Sequence, residues 1–163
     1  ERQRVLRIKE RYEAFVADPG PAVSSEEPDD LLFPLEAHLR DFLAANIGNI
    51  TLHGLKLHLY VNSSGRNGVE YPTDVGPIDV LAEDSNGGLV VFELKLSKGP
   101  DRAVGQALRY MGWVNKHLAP KRVSGVIVAH EIDEKLKYAV SVAPNITVFE
   151  YKVRFDLHQV SLS

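Results

Sequence analysis

The chain has 163 residues, a formal charge of -3 and no cysteine. That length suits one domain with room for an appendage, and the lack of cysteine excludes disulfides, zinc–thiolate sites and cysteine nucleophiles. A protein whose whole surface grips nucleic acid is usually basic, so nucleic-acid binding here would need a local basic patch.

Apolar residues make up 44% and charged residues 25%, as in ordinary globular proteins. No apolar run approaches the roughly 20 residues of a membrane span, and no signal peptide is visible. A cytoplasmic location and no membrane partner are therefore expected. The sequence starts at Glu1 without a methionine, as expected for a piece of something longer.

Residues 1–17 read as an amphipathic helix, with Val5, Ile8, Tyr12 and Phe15 at helical spacing among five basic residues. It is either a solvated helix docked by one face or an arm that contacts phosphate or pairs two copies into a homodimer. Residues 18–30, rich in Pro, Ser and acids, read as a linker or extended loop. Residues 31–163 are expected to form the main domain. A helix starts near Pro34 and ends near Gly48, with Leu35, Leu39, Phe42 and Leu43 as its buried stripe. Strands are expected over 52–61, about 75–83 and about 88–96. "NSSGRNG" (Asn62 to Gly68) is expected to be a flexible loop with Arg66 as its charged finger. A helix follows from Pro100 to about Leu118, then a strand in "VSGVIVAH", a helix in "DEKLKYAVSVA" and a long final strand over 145–160. The order α-β-β-β-α-β-α-β predicts an α/β sandwich around a mixed sheet.

The stretch "VVFELKLS" (Val90 to Ser97) has a fault for a core strand. Side chains alternate, so Glu93 and Lys95 share one face while Phe92, Leu94 and Leu96 share the other. Burying the two charges costs several kcal/mol unless they are paired or bind something charged. They form either a structural ion pair or a site. The preceding strand, "VGPIDVLA", carries Asp79 in a similar setting. A two-residue loop at Asn86-Gly87 would turn Asp79 away from Glu93. A three-residue loop, Ser85-Asn86-Gly87, pairs Asp79 with Glu93 on one face, and Gly87 suits the left-handed position such a loop requires. The three-residue form is predicted.

Two carboxylates and an ammonium converging from adjacent strands suit a hard divalent cation, Mg²⁺ or Mn²⁺, and phosphodiester chemistry. Lys95 is assigned an orienting and electrostatic role first and a general-base role second. Glu36 lies beside the buried stripe of its helix and can face the sheet. On the later helix Gln106, Tyr110, Trp113 and His117 form one stripe, and Arg102, Arg109 and Lys116 another. The second stripe is either a solvated face or a track for a phosphate backbone. Lys98 and Arg66 are further candidate nucleic-acid contacts. Asp74, in the loop before the strand, could cap or approach the metal. The six histidines show no close metal-ligand spacing and are read as structural.

Taken together, Asp79 and "Glu93-Leu94-Lys95" resemble the PD-(D/E)xK nuclease superfamily, whose signature is an acid on one strand and acid-x-Lys on the next. Glu36 and Gln106 match the extended pattern. The likeness is closest to the nuclease domain of NucS-type (EndoMS-type) endonucleases. It is carried by "EYPTDVGPIDVLAED", "FELKLSKGPDRAVGQALRYMGWV" and "VSGVIVAHEID", over roughly Leu31 to Glu150. The resemblance implies a restriction-endonuclease-like core, a central mixed sheet with helices on both faces. It implies a divalent-metal-dependent endonuclease acting on DNA, with a role in DNA repair. Asp79, Glu93 and the Leu94 backbone carbonyl would hold the metal, and Lys95 would serve the attacking water. Glu36 would bind a second metal or its water, Gln106 would position Lys95 or a water, and Tyr110 would support the site. The family also has an N-terminal β-rich domain, where this chain has a helix and a linker. Against the nuclease reading stand a catalytically silent nucleic-acid-binding module and a purely structural domain.

Overall fold

The structure is a computed structural model that describes residues 29–96, 101–152 and 157–162. The helix expected over 1–17, most of the linker and Lys98 lie outside the described residues. The chain runs through helix α1 (Asp29–Ala45), a short 3-10 helix (Ile47–Asn49), strands β1 (Thr51–Leu52), β2 (Leu55–Leu59), β3 (Val69–Tyr71), β4 (Ile78–Asp84) and β5 (Leu89–Lys95). Then come α2 (Asp101–His117), β6 (Val123–Ala129), α3 (Glu134–Ser141) and β7 (Ile146–Glu150).

One mixed sheet holds the described strands in the order β1-β2-β4-β5-β6-β7, with β3 beside β4 off this path. The half up to β5 is antiparallel, and β5, β6 and β7 run parallel. β2 and β3 share one edge of β4: β2 pairs its C-terminal half and β3 its N-terminal half. Parallel neighbours require crossovers, and α2 and α3 supply them. They cover one face, burying Leu81, Val91 and Ile127 with Ala103, Ala107 and Val114. The other face buries Val80, Val90, Phe92, Leu94 and Val126 beneath the 3-10 helix and Leu39 and Leu43 of α1. β5 is buried on both faces, which explains its nearly continuous apolar run. Among the described residues no helix is long and apolar enough to cross a membrane.

Four boundaries differ from the sequence reading. α1 begins at Asp29, inside the expected linker. The strand expected over 52–61 is a tight hairpin, broken at His53 (φ 51°) and Gly54 (φ 78°). Two left-handed residues in succession make the turn that matches strand twist. β3 is a strand the sequence did not announce. The final strand stops at Glu150, since β6 ends at Ala129 and offers no further ladder. Residues 157–162 carry no regular structure and expose Leu157, Val160 and Leu162.

Candidate functional site

The β4–β5 hairpin decides the geometry. Its register pairs Val80 with Phe92 and Glu83 with Leu89, which carries Asp79 directly opposite Glu93. The loop has three residues, Ser85-Asn86-Gly87. Asp84 N donates to Gly88 O at 2.8 Å, Gly87 N donates to Asp84 O at 3.0 Å, and Gly87 has φ 79°. Only a residue without a side chain enters that region at no steric cost. The turn is pinned by the buried Asp84 carboxylate, which accepts from Asn86 N and Gly88 N, both at 2.9 Å, and from Arg122 Nη2 at 2.8 Å.

Asp79 and Glu93 therefore face the α2 side of the sheet together. Asp79 Oδ2 accepts from the Leu94 backbone N–H at 2.8 Å. Lys95 Nζ lies 3.1 Å from Glu93 Oε1, with the Glu93 side chain 5% exposed and that of Lys95 22%. Burial, then the Asp79 charge, pushes the Glu93 carboxyl up to about 7, against the pull of Lys95. Asp79 is also raised, by burial first, while the Leu94 N–H and the Lys95 and Arg40 charges pull it back.

Groups on two helices act on this pair. Glu36 of α1 is half-buried, and its carboxyl is raised by burial and then by Asp79. The Tyr110 hydroxyl on α2 is raised by burial and by the charges of Glu93 and Asp79. Gly76, at φ 114°, is shaped around this hydroxyl: a Cβ there would lie 2.9 Å from Tyr110 Oη. One turn earlier on α2, Gln106 Oε1 is buried without a hydrogen-bond partner among the described residues. Such a group asks for a donor.

The other candidates fall elsewhere. Arg102, Arg109 and Lys116 are exposed on α2 at seven-residue steps, roughly 10 Å apart along the axis. The loop at Asn62 to Gly68 is tied together by its own hydrogen bonds. Asn62 Oδ1 accepts from Ser64 N, Ser64 Oγ and Arg66 N, and Val61 bridges to Asn67. Arg66 Nη2 donates to the Glu70 carbonyl at 3.3 Å rather than extending as a finger. Asp74 Oδ2 accepts from Trp113 Nε1 at 3.4 Å, and the Trp113 ring stacks on His117 and meets Tyr71 edge-on. The structure also brings in Arg40 and Glu70, which the sequence reading passed over. Arg40 stands four residues after Glu36, the one spacing that could have flagged it. Glu70 belongs to the unannounced strand.

Among the described residues no group of three or more His, Cys, Asp and Glu forms a ready-made metal site. The donors still suit a hard cation: buried carboxylates with raised proton affinity, lacking enough positive charge to satisfy them. Asp79 and Glu93, opposite each other on one face, are the two that could hold such an ion.

The family profile described as "Endonuclease NucS C-terminal domain" matches residues 36–146, more than half of the chain. The chain belongs to the NucS C-terminal domain family. An "Endonuclease NucS" of Streptomyces griseus is 41% identical over 100 residues, 60% of this chain and 39% of that protein. The Corynebacterium jeikeium "Endonuclease NucS" is 36% identical over 107 residues, 66% of this chain and 40% of that one. Among solved structures, an EndoMS–dsDNA complex superposes with a TM-score of 0.55 at 20% identity, covering 84% of this chain and 50% of that one. A Pyrococcus abyssi repair endonuclease does so with a TM-score of 0.50 at 24% identity, covering 80% and 50%. These superpositions show that the NucS-type, restriction-endonuclease-like fold is shared. The chain spans about 40% of the length of these two curated relatives.

Proposed function

We propose that this chain is the catalytic domain of a divalent-metal-dependent DNA endonuclease. It hydrolyses phosphodiester bonds and favours a structured substrate, branched, mismatched or single-stranded, in DNA repair. The observation that carries the reading is the opposition of Asp79 and Glu93 on one sheet face, with Lys95 Nζ 3.1 Å from Glu93. A relative solved with double-stranded DNA supports DNA as the partner.

In this reading Asp79, Glu93 and the Leu94 carbonyl hold Mg²⁺ or Mn²⁺, and Glu36 serves a second ion or its water. When bound, the metal polarises the phosphodiester and lowers the pKa of a bound water. The chain's own residues do the rest. Lys95 orients the attacking water and balances charge at the phosphorus as the new P–O bond forms and one ester P–O bond breaks. Gln106, with its unpartnered carbonyl, accepts from Lys95 or from that water. Tyr110 walls the site and keeps Asp79 and Glu93 dry on the helix side. Arg102, Arg109, Lys116, Lys98 and Arg66 contact backbone phosphate, without sequence preference.

The test is incubation with branched, mismatched, single-stranded and duplex DNA in Mg²⁺ or Mn²⁺. Metal-dependent cleavage of at least one substrate is expected. Loss of about 10²-fold or more is expected in Glu93→Gln and in Lys95→Ala. Binding without cleavage of any substrate, or cleavage indifferent to both changes, would overturn the proposal in favour of a silent binding module.

A further inference from the structure

We infer that Arg40 and Glu70 form a clamp that positions Glu36 beside Asp79, which makes both of them positioning residues. The inference rests on the hydrolysis proposed above. Arg40 stands one helical turn after Glu36 on α1. Its Nη1 lies 2.7 Å from Glu70 Oε1, and its Nη2 and Nε lie 3.1 and 3.2 Å from Asp41 Oδ1. The Arg40 side chain is only 16% exposed, while those of Glu70 and Asp41 are 53% and 61% exposed. The Arg40 side chain is thus largely shielded from solvent, while the acids that hold it are exposed. An exposed pair would do little to fix geometry; a packed cation with a planar fork does more.

The partner on the strand is well placed for this. The β3–β4 register pairs Val69 with Val80 and Tyr71 with Ile78, so Glu70 stands opposite Asp79. Glu70, Asp79 and Glu93 occupy one row across β3, β4 and β5. Glu70 also has φ 45°, in the left-handed region a residue with a side chain seldom enters. Strain of this kind persists where the surroundings over-determine it. Here the Glu70 carboxylate is held by Arg40 and its carbonyl by Arg66. Arg40 is on α1 and its partner Glu70 on β3, so this ion pair spans helix and strand. Leu39, Leu43 and Ala44 anchor α1 on the opposite, apolar face.

The experiment compares the full chain with Arg40→Met, Arg40→Lys and Glu70→Gln. It measures single-substrate kinetics in Mn²⁺, melting temperature, and hydrogen exchange over α1 and β3 without DNA. Arg40→Met and Glu70→Gln are each expected to lower kcat about tenfold or more with KM within about threefold, the signature of lost positioning. Exchange over residues 36–44 should quicken in both, and Arg40→Lys should recover part of the rate. Unchanged kcat in both variants, or a lower melting temperature with normal kcat, overturns the inference. So does a raised KM with normal kcat, which would make Arg40 a substrate grip. If the unaltered chain cuts no DNA, the hydrolysis reading fails. The exchange measurement then decides the clamp alone, and unchanged protection over 36–44 removes it.

Discussion

Asp79 stands opposite Glu93 across the β4–β5 ladder, and its charge is the strongest repulsion on the Glu93 carboxyl. Burial and that repulsion raise Glu93 from 4.5 to about 7. An acid whose folded value exceeds its unfolded one contributes stability that is fully present below 4.5 and is lost as the pH rises through about 7. The metal-free protein should therefore lose stability from this group between those two values. Glu93→Gln should flatten that slope and stabilise the metal-free protein at pH 8 by on the order of 2–3 kcal/mol. Melting temperatures of both proteins across this range, in a chelator, check it. A steeper slope in the variant would contradict the assignment.

Tyr110 and Gly76 form a second coupled pair. Gly76→Ala meets an unfavourable φ of 114° and a hydroxyl 2.9 Å from the new Cβ. We expect a loss of about 1–2 kcal/mol. In a Tyr110→Phe background the loss should shrink, because the hydroxyl that clashes is gone. A double-mutant cycle by urea denaturation reads the coupling. Additive effects would show that the two residues do not meet.

Asp84 illustrates the opposite sign. Burial alone would raise its carboxyl, but the Gly88 N–H, Arg122 and the Asn86 N–H together lower it below 3.8. Asp84→Ala leaves a buried Gly88 N–H unpartnered and should cost about 2–4 kcal/mol at pH 7. The contribution is present above the unfolded value of 3.8 and is lost as the pH falls through the lower folded value. Parent and variant should thus converge in acid, as chemical denaturation at pH 7 and pH 3 would record.

The basic stripe on α2 has a salt signature. If Arg102, Arg109 and Lys116 each neutralise one phosphate, replacing all three by alanine should weaken DNA binding uniformly across sequences. It should also lower the slope of log K against log salt by about 3. Fluorescence anisotropy at several salt concentrations measures this. An unchanged slope would leave the stripe as a solvated helix face.

The central residues were legible in the sequence because strand parity is strict. "VVFELKLS" put Glu93 and Lys95 on one face, and the glycine at 87 pointed to the three-residue loop that the structure has. Glu36 and Tyr110 were legible through helical spacing. Arg40 and Glu70 were not, since their meeting depends on how α1 crosses the sheet and on a strand of three residues with no periodic signature. The His53-Gly54 turn hid inside an alternating apolar run, where Leu52, Leu55, Leu57 and Leu59 masked the break. The end of β7 depended on where its neighbour stopped, which is a property of the pair and not of either segment.

The loop between β4 and β5 has a further consequence, for what the two acids depend on. A slip of one residue between the strands would keep every acid in the chain, yet put Asp79 and Glu93 on opposite sides of the sheet. A residue added inside the loop does not by itself cause that slip, since a longer loop can close the same flanking pairs. Substitutions at Ser85 and Asn86, both exposed, leave the pairing untouched. At this turn the alignment of the two strands matters more than the identity of those two residues.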